Sequence, residues 1–227
     1  MNDKLTICLF ILERHNFTLR FLRYYNKFKI PYTLIIGDGS KINLNKSILS
    51  EINKNNKIQY FKFKNEFNKK LNEYNHNKFY LRILSCLKKV KTEYVKFISD
   101  DDLLINYSTI KCVNFLEKNK KYDAAGGSGL DFSLSSKYYG KIRDIHPFYN
   151  IKNFKSEKVI DKVKQFYDGT FDCWHIVFRT KKIIKIFRIS SIHNNKDKDF
   201  KDHFHELITH IFLKIHFFKD PLILHES

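Results

Sequence analysis

Three consecutive carboxylates, Asp100, Asp101 and Asp102, follow an apolar run containing Tyr94, Val95, Phe97 and Ile98. Neighbouring carboxylates repel one another unless water solvates them or a hard divalent cation such as Mg²⁺ or Mn²⁺ sits between them. A strand ending in this way delivers negative charge to the carboxyl end of a buried sheet, where open α/β folds bind their ligands. A cation held there would attract phosphates. An isolated acidic triplet reads most simply as a solvated turn. Here it lies in the middle of a regular alternation of strands and helices.

Other side chains with chemical potential sit at the ends of predicted elements. Glu13-Arg14-His15 makes a charged turn after the first apolar run, well placed to touch a nucleotide or simply to meet water. Gly37-Asp38-Gly39-Ser40 follows the second, where the glycines permit close backbone approach and Asp38 can accept hydrogen bonds from a base or ribose. Trp174, the one tryptophan of the chain, can offer an aromatic plane to the C–H face of a sugar, although core packing explains a lone Trp as readily. His205-Glu206-Leu207-Ile208-Thr209-His210 comes close to a zinc-protease motif. Its two histidines are five residues apart, however, and diverge by about 140° on a helix, so they cannot share one zinc.

The elements that must position these groups can be read from hydrophobic periodicity. Residues 5–12 form a continuous apolar run suited to a buried parallel strand. A helix capped by Asn16 is predicted to follow, with Phe17, Phe21, Leu22, Tyr25 and Phe28 at helical spacing. Further strands are expected at 32–36 and 58–63, with helices near 45–53 and 78–90. A helix capped by Ser108 is expected to run through Lys118. Beyond Tyr122 short strands and loops are expected, with little periodicity over 133–154. A strand and a Lys-rich helix follow Trp174. A helix over 201–217 is predicted to turn Phe204, Leu207, Ile208, Ile211, Phe212 and Ile215 inward and Asp202, His203, Glu206 and His210 outward. A closing strand is predicted over 221–225. This order suits a right-handed doubly wound half followed by a less regular one.

The strand running into Asp100–Asp102 resembles the metal-binding acid-any-acid region of nucleotide-sugar-dependent glycosyltransferases with the GT-A fold, nearest the large family 2 group. Ser99 stands where that family commonly has its first acid, so which two of the three aspartates carry the metal stays open. The resemblance implies an α/β GT-A-type single domain: a Rossmann-like nucleotide-sugar-binding half over 1–107 and an acceptor-binding half over 108–227, on a mixed, mainly parallel sheet flanked by helices. It implies an inverting, metal-dependent transfer from a nucleotide-diphosphate sugar to a hydroxyl of a glycan or lipid-linked acceptor, as in surface polysaccharide synthesis, with Mn²⁺ or Mg²⁺ as cofactor. By the same resemblance Glu13, Arg14, Asp38, Asp100 and Asp101 would touch the donor, and Asp100, Asp101, Asp102 and His225 the metal. Trp174 and Arg179 would line the acceptor side. Glu206, or else Asp202, would be the general base.

Composition narrows the alternatives. The 227 residues, 43% of them hydrophobic, can bury one sizeable core, and 7 Gly and 3 Pro leave no linker at which to divide the chain. Cys8, Cys86, Cys112 and Cys173 lack any close pairing in sequence and read as reduced core residues. The formal charge of +18 invites a polyanion. Its lysines are spread along the chain, with only Lys54, Lys57, Lys62, Lys64, Lys69 and Lys70 forming a local basic face, so nucleic acid is not the expected partner. No apolar stretch resembles a signal peptide or a membrane span, which points to the cytoplasm with room for peripheral contact at an anionic membrane face. Two rival readings remain. One is a nucleotidyltransferase of similar topology, which would want a Gly-bearing loop where Leu12-Glu13-Arg14-His15 has none. The other is a non-catalytic polyanion-binding domain.

Overall fold

The computed structural model describes residues 4–63, 67–68, 73–74, 76–136, 140–149, 156–167, 173–192 and 198–226. The chain runs β1 (Leu5–Ile11), α1 (His15–Lys27), β2 (Thr33–Asp38), α2 (Lys46–Asn53), β3 (Ile58–Lys62), a short hairpin of β4 (Phe67–Asn68) and β5 (Glu73–Tyr74), α3 (His76–Leu87) and β6 (Tyr94–Ser99). It continues through β7 (Asp102–Leu104), α4 (Asn106–Lys118), β8 (Ala124–Leu134), β9 (Ile142–Tyr149), α5 (Val159–Tyr167), β10 (Val177–Arg179), α6 (Thr180–Ile192), α7 (Lys198–Phe212) and β11 (Ile215–Glu226).

One sheet in the order β3-β2-β1-β6-β10-β8-β11-β7 threads both halves, with β9 added to β8. β3, β2, β1 and β6 are parallel, and β8 and β11 are parallel to each other. β10 runs antiparallel to both of its neighbours. β7 is antiparallel to β11, and β9 to β8. Only Asp100 and Asp101 separate β6 from β7, yet three strands lie between them in the sheet, so the sheet must curl back on itself. That curl brings the last strand to the end of the acidic one.

Every residue of β1 is buried because helices cover both faces of the sheet. Leu5, Ile7, Leu9 and Ile11 pack with Phe21, Leu22 and Tyr25 of α1, Ile48 of α2, and Cys112, Val113 and Leu116 of α4. Cys8 and Phe10 face the other way, onto Ile83 and Leu87 of α3, Ile183 and Phe187 of α6 and Ile208 of α7. Burying each such aliphatic or aromatic side chain stabilises the fold by about 1.5–3 kcal/mol relative to exposure. All four cysteines are buried and unbridged, as expected.

Several predicted elements are corrected. Asn45, not singled out as a cap, is the residue that caps α2, its Oδ1 accepting from the Ile48 N–H at 3.0 Å. α1 instead begins at His15, after Arg14, without a side-chain cap. α4 begins at Asn106, so Ser108 lies buried inside its first turn. Residues 142–149 form β9 where loop was expected. The helix predicted over 201–217 stops at Phe212, because Ile215 and Phe217 are buried on alternate positions of a strand. The buried residues of α7 are Lys201, His205, Ile208, Thr209 and His210, so His210 turns inward where solvent was expected, while Phe212, expected inward, is 63% exposed. Among the described residues, no helix is long and apolar enough to cross a membrane.

Candidate functional site

β1 leads through α1 to β2 on one side, and the chain returns through α3 to β6 on the other side of β1. The carboxyl ends of β1 and β6 therefore flank a topological switch point, where such sheets leave a crevice. A cavity of about 340 Å³ opens there, between Phe10, Leu12 and Arg14 after β1, Ser99 to Asp102 after β6, Phe79 and Arg82 of α3, Trp174 and His175 before β10, and His225 of β11.

The three aspartates have different surroundings. Asp102 has almost no exposed surface. Its Oδ2 meets His175 Nε2 at 2.8 Å and its Oδ1 meets His225 Nδ1 at 2.7 Å. The second contact follows from strand pairing, since His225 lies opposite Asp102 in the β7–β11 register. Burial alone would raise the Asp102 carboxyl, but the hydrogen bonds and charge of His175 and then His225 outweigh it and hold the group well below the usual carboxylate range. The His225 imidazole is raised in return by its bond to Asp102. Asp100 is also buried, and burial pushes its carboxyl up to about 7 although Arg14 pulls the other way. Thr18 Oγ1 donates to Asp100 Oδ2 at 3.1 Å. Arg14 Nη2 stands 2.7 Å from Asp100 Oδ1 and 2.6 Å from Asp101 Oδ2. Arg20 bonds the Asp101 carbonyl at 3.2 Å and pairs with Glu226, tying β11 to the acidic turn.

Asp101, Asp102 and His225 can each present one ligand atom, all within 4.8 Å of one another. Ligands about 2.0–2.2 Å from a shared ion lie no more than about 4.4 Å apart, so the cluster fits a divalent cation after closing by a few tenths of an ångström. Two carboxylates and an imidazole suit Mn²⁺ better than Mg²⁺, which prefers oxygen alone. Asp100 turns to Thr18 and Arg14 and is not part of this cluster.

Trp174 joins the cavity wall as one side of an aromatic group, with ring centroids 5.9 Å from Phe10, 5.9 Å from Phe79 and 5.2 Å from Phe97. Glu13 does not line the cavity. Its N–H donates to Ser40 Oγ at 2.9 Å and its carboxylate accepts from the Lys41 N–H, linking the turns after β1 and β2. Asp38 has no exposed surface. It accepts from the Ser40 N–H at 2.8 Å, the Tyr60 hydroxyl at 2.6 Å and Lys62 Nζ at 2.9 Å. Burial would raise its carboxyl, but these bonds hold it below its ordinary value. The expected ligand-facing aspartate is thus turned into the protein. Gly37 likewise serves packing, since a Cβ there would come within 2.7 Å of Cys86 Sγ.

Arg179 does not reach the cavity. It pairs in register with Tyr94, at the opposite end of β6 from the triplet, and donates to the Tyr122 carbonyl at 2.9 Å, the Leu116 carbonyl at 2.6 Å and Glu93 at 2.7 Å. Neither Asp202 nor Glu206 lines the cavity. Asp202 Oδ1 accepts from the Tyr80 hydroxyl at 3.1 Å, next in sequence to Phe79 of the wall. Glu206 lies 4.0 Å from His203. His205 is buried against Phe187 with Nδ1 2.8 Å from Ser190 Oγ, and burial pushes its imidazole down to about 3. His210 stacks on Phe166 and is pushed down to about 4 by burial. Their separation on the helix removes the protease reading.

Sequence reasoning missed Arg82, His175, Thr18 and Arg20. Arg82 is only 2% exposed and donates from Nη1 to the Ile11 and Gly37 carbonyls at 2.6 and 2.7 Å, clamping the ends of β1 and β2. His175 sits beside the Trp174 that was singled out, and adjacency was the only signal for it. Of the expected basic face, Lys54 pairs with Glu51, Lys57 with the Pro31 carbonyl and Lys62 with Asp38. Lys64, Lys69 and Lys70 lie outside the described residues.

No protein-family model matches this sequence, and no curated protein does. Solved structures of S. aureus TarS do match. TarS 1–349 in complex with UDP superposes with a TM-score of 0.62 over 99% of this chain and 60% of that chain, at 10% identity. TarS 1–349 in complex with UDP-GlcNAc gives 0.57 over 99% of this chain and 58% of that chain, at 11% identity. A longer TarS chain gives 0.61 with 99% of this chain and 37% of that one covered, at 10% identity.

This chain has a GT-A-like fold. It spans 37–60% of the length of these TarS chains. In the GT-A-like fold of this chain the sheet switch point, the acidic turn and the aromatic wall fall at one cavity.

Proposed function

We propose that the chain transfers a sugar from a nucleoside-diphosphate sugar to an acceptor hydroxyl with inversion at the anomeric carbon. The observation that carries this reading is the convergence of Asp101, Asp102 and His225 in a cavity that also holds Arg14 and Arg82, in a fold whose TarS examples were solved with UDP and UDP-GlcNAc. Arg14 and Arg82 supply positive charge toward a diphosphate, and a guanidinium fork matches phosphate oxygens in pairs. Trp174 and Phe79 offer apolar planes to the sugar. Bound Mn²⁺ or Mg²⁺, held by Asp101, Asp102 and His225, would offset the charge that builds on the leaving diphosphate.

The acceptor hydroxyl gives its proton to a carboxylate as its oxygen bonds to the anomeric carbon and the bond to the diphosphate oxygen breaks. We assign that carboxylate to Asp202 in preference to Glu206, because the hydroxyl of Tyr80, the residue after Phe79 of the wall, orients it; the acceptor would have to extend from the cavity to reach it. A glycan or lipid-linked acceptor of surface polysaccharide synthesis fits the reading, as does peripheral contact between a chain of +18 formal charge and an anionic membrane. A thermal-shift panel tests it. Stabilisation by UDP or GDP with Mn²⁺ is expected; stabilisation by nucleoside triphosphates alone would favour a nucleotidyltransferase, and by heparin or DNA alone a polyanion-binding domain.

A further inference from the structure

We infer that Arg14 is a built-in substitute for the divalent cation, which leaves the aspartates for the donor diphosphate only when metal and nucleotide arrive together. This rests on reading Asp101, Asp102 and His225 as the metal ligands, and it adds to that reading an order of binding.

The geometry around Arg14 carries the inference. A single nitrogen, Nη2, bridges Asp100 Oδ1 at 2.7 Å and Asp101 Oδ2 at 2.6 Å, as a small cation shared by two carboxylates would. A metal at Asp101 therefore has to share this carboxylate with the guanidinium or displace it. A divalent ion and a guanidinium drawn to one carboxylate also repel each other.

The backbone is shaped to place this side chain. Glu13, the residue before it, adopts φ 59°, a left-handed conformation uncommon for a residue with a Cβ. The kink is held by the Glu13 N–H on Ser40 and by the Glu13 carboxylate on the Lys41 N–H. The Arg14 guanidinium packs 4.5 Å from the Phe17 ring centre. Its side chain remains 43% exposed and borders the same cavity, so it has room to turn.

In the nucleotide-free protein, Arg14 neutralises the turn and a divalent ion competes with it for Asp101. A nucleoside diphosphate brings negative oxygens of its own, and the fork of Arg14 can pass from the carboxylates to the phosphate while the ion takes Asp101. Metal and nucleotide then raise each other's affinity by equal factors, as linkage requires. The free enzyme keeps little metal.

The experiment is an electron paramagnetic resonance titration of Mn²⁺ into wild-type, Arg14→Met and Arg14→Lys protein, each with and without UDP or GDP, with thermal melts to establish folding and Asp101→Asn as control. Wild type is expected to bind Mn²⁺ weakly alone and at least about tenfold more tightly with nucleotide, within the usual range of coupling between sites. Arg14→Met should bind Mn²⁺ alone about tenfold more tightly than wild type and show nucleotide coupling reduced toward one, with Arg14→Lys between the two. Equal or weaker Mn²⁺ binding in folded Arg14→Met, with coupling intact, would overturn the role of Arg14 while leaving the metal site standing. Absence of Mn²⁺ binding in every protein, with nucleotide present, would overturn the metal reading and this inference with it.

Discussion

β6 carries a charged cluster at each end, and the two clusters are built on opposite principles. At its start Arg179 spends its donors on the Tyr122 and Leu116 carbonyls and on Glu93, and its guanidinium packs over the Tyr94 ring. Each group there has a partner within the fold. At its end three carboxylates crowd a cavity, one of them holding an ordinary acid's proton up to about 7 and another held far below the usual range. Arg14, on the same cavity, is nearly half exposed. A closed cluster of satisfied partners stabilises a fold, whereas convergent charge beside open space is prepared for something that has yet to bind.

The contrast breaks most visibly through catalysis. Asp202→Asn keeps the shape of the side chain and its contact with Tyr80 but removes the basic oxygen. Its kcat in a glycosyl-transfer assay should fall by roughly 10² to 10⁴ with donor affinity unchanged, and Glu206→Gln should cost less. A dead Glu206→Gln beside an active Asp202→Asn would exchange the two roles.

The opposite end of β6 should answer in stability instead. Arg179→Ala leaves two main-chain carbonyls without their donor, and should lower the unfolding free energy by about 3 kcal/mol, measured by denaturant titration. The kcat/KM of the protein that remains folded should match wild type. A selective loss of acceptor affinity would return Arg179 to the acceptor site.

A smaller effect separates histidines that belong to the cavity from those that belong to the core. His205 is held neutral, with its imidazole down at about 3, whereas it titrates near 6.5 in an unfolded chain. Its folded pKa is depressed, so its contribution to stability is complete above about 6.5 and is lost as pH falls from there toward 3, because the unfolded chain takes up the proton first. His205→Leu should flatten the fall of melting temperature between pH 7 and pH 4.5 relative to wild type. Parallel profiles would show that another group governs acid unfolding.

The parallel half of the sheet was legible in the sequence because its strands are short, predominantly apolar runs separated by amphipathic helices, a local signal. Asp100 to Asp102 stood out for the same reason, since the run that precedes them is short and apolar apart from Lys96 and Ser99. β7, β8 and β11 were not legible in their arrangement, because the curl that sets His225 against Asp102 depends on pairing between residues more than a hundred positions apart. α7 was misread because Lys201, His205 and Thr209 are polar residues in buried positions, and hydrophobic periodicity assigns such residues to solvent. Arg82 escaped notice for that reason too: it lies beside an apolar stripe, and only its contacts with the Ile11 and Gly37 carbonyls reveal its place at the cavity floor. Asp38 shows the converse, a conspicuous turn residue whose carboxylate is consumed by Ser40, Tyr60 and Lys62.

Calorimetric titration of UDP and GDP in the presence of Mn²⁺, into wild type, Asp101→Asn and Arg179→Lys, tests most directly that the cavity beyond β6 is the donor site. One of the two nucleotides should bind wild type and Arg179→Lys with the same affinity, and Asp101→Asn at least about tenfold more weakly, a loss of 1.4 kcal/mol or more. Unchanged affinity in Asp101→Asn, or a loss confined to Arg179→Lys, would contradict it.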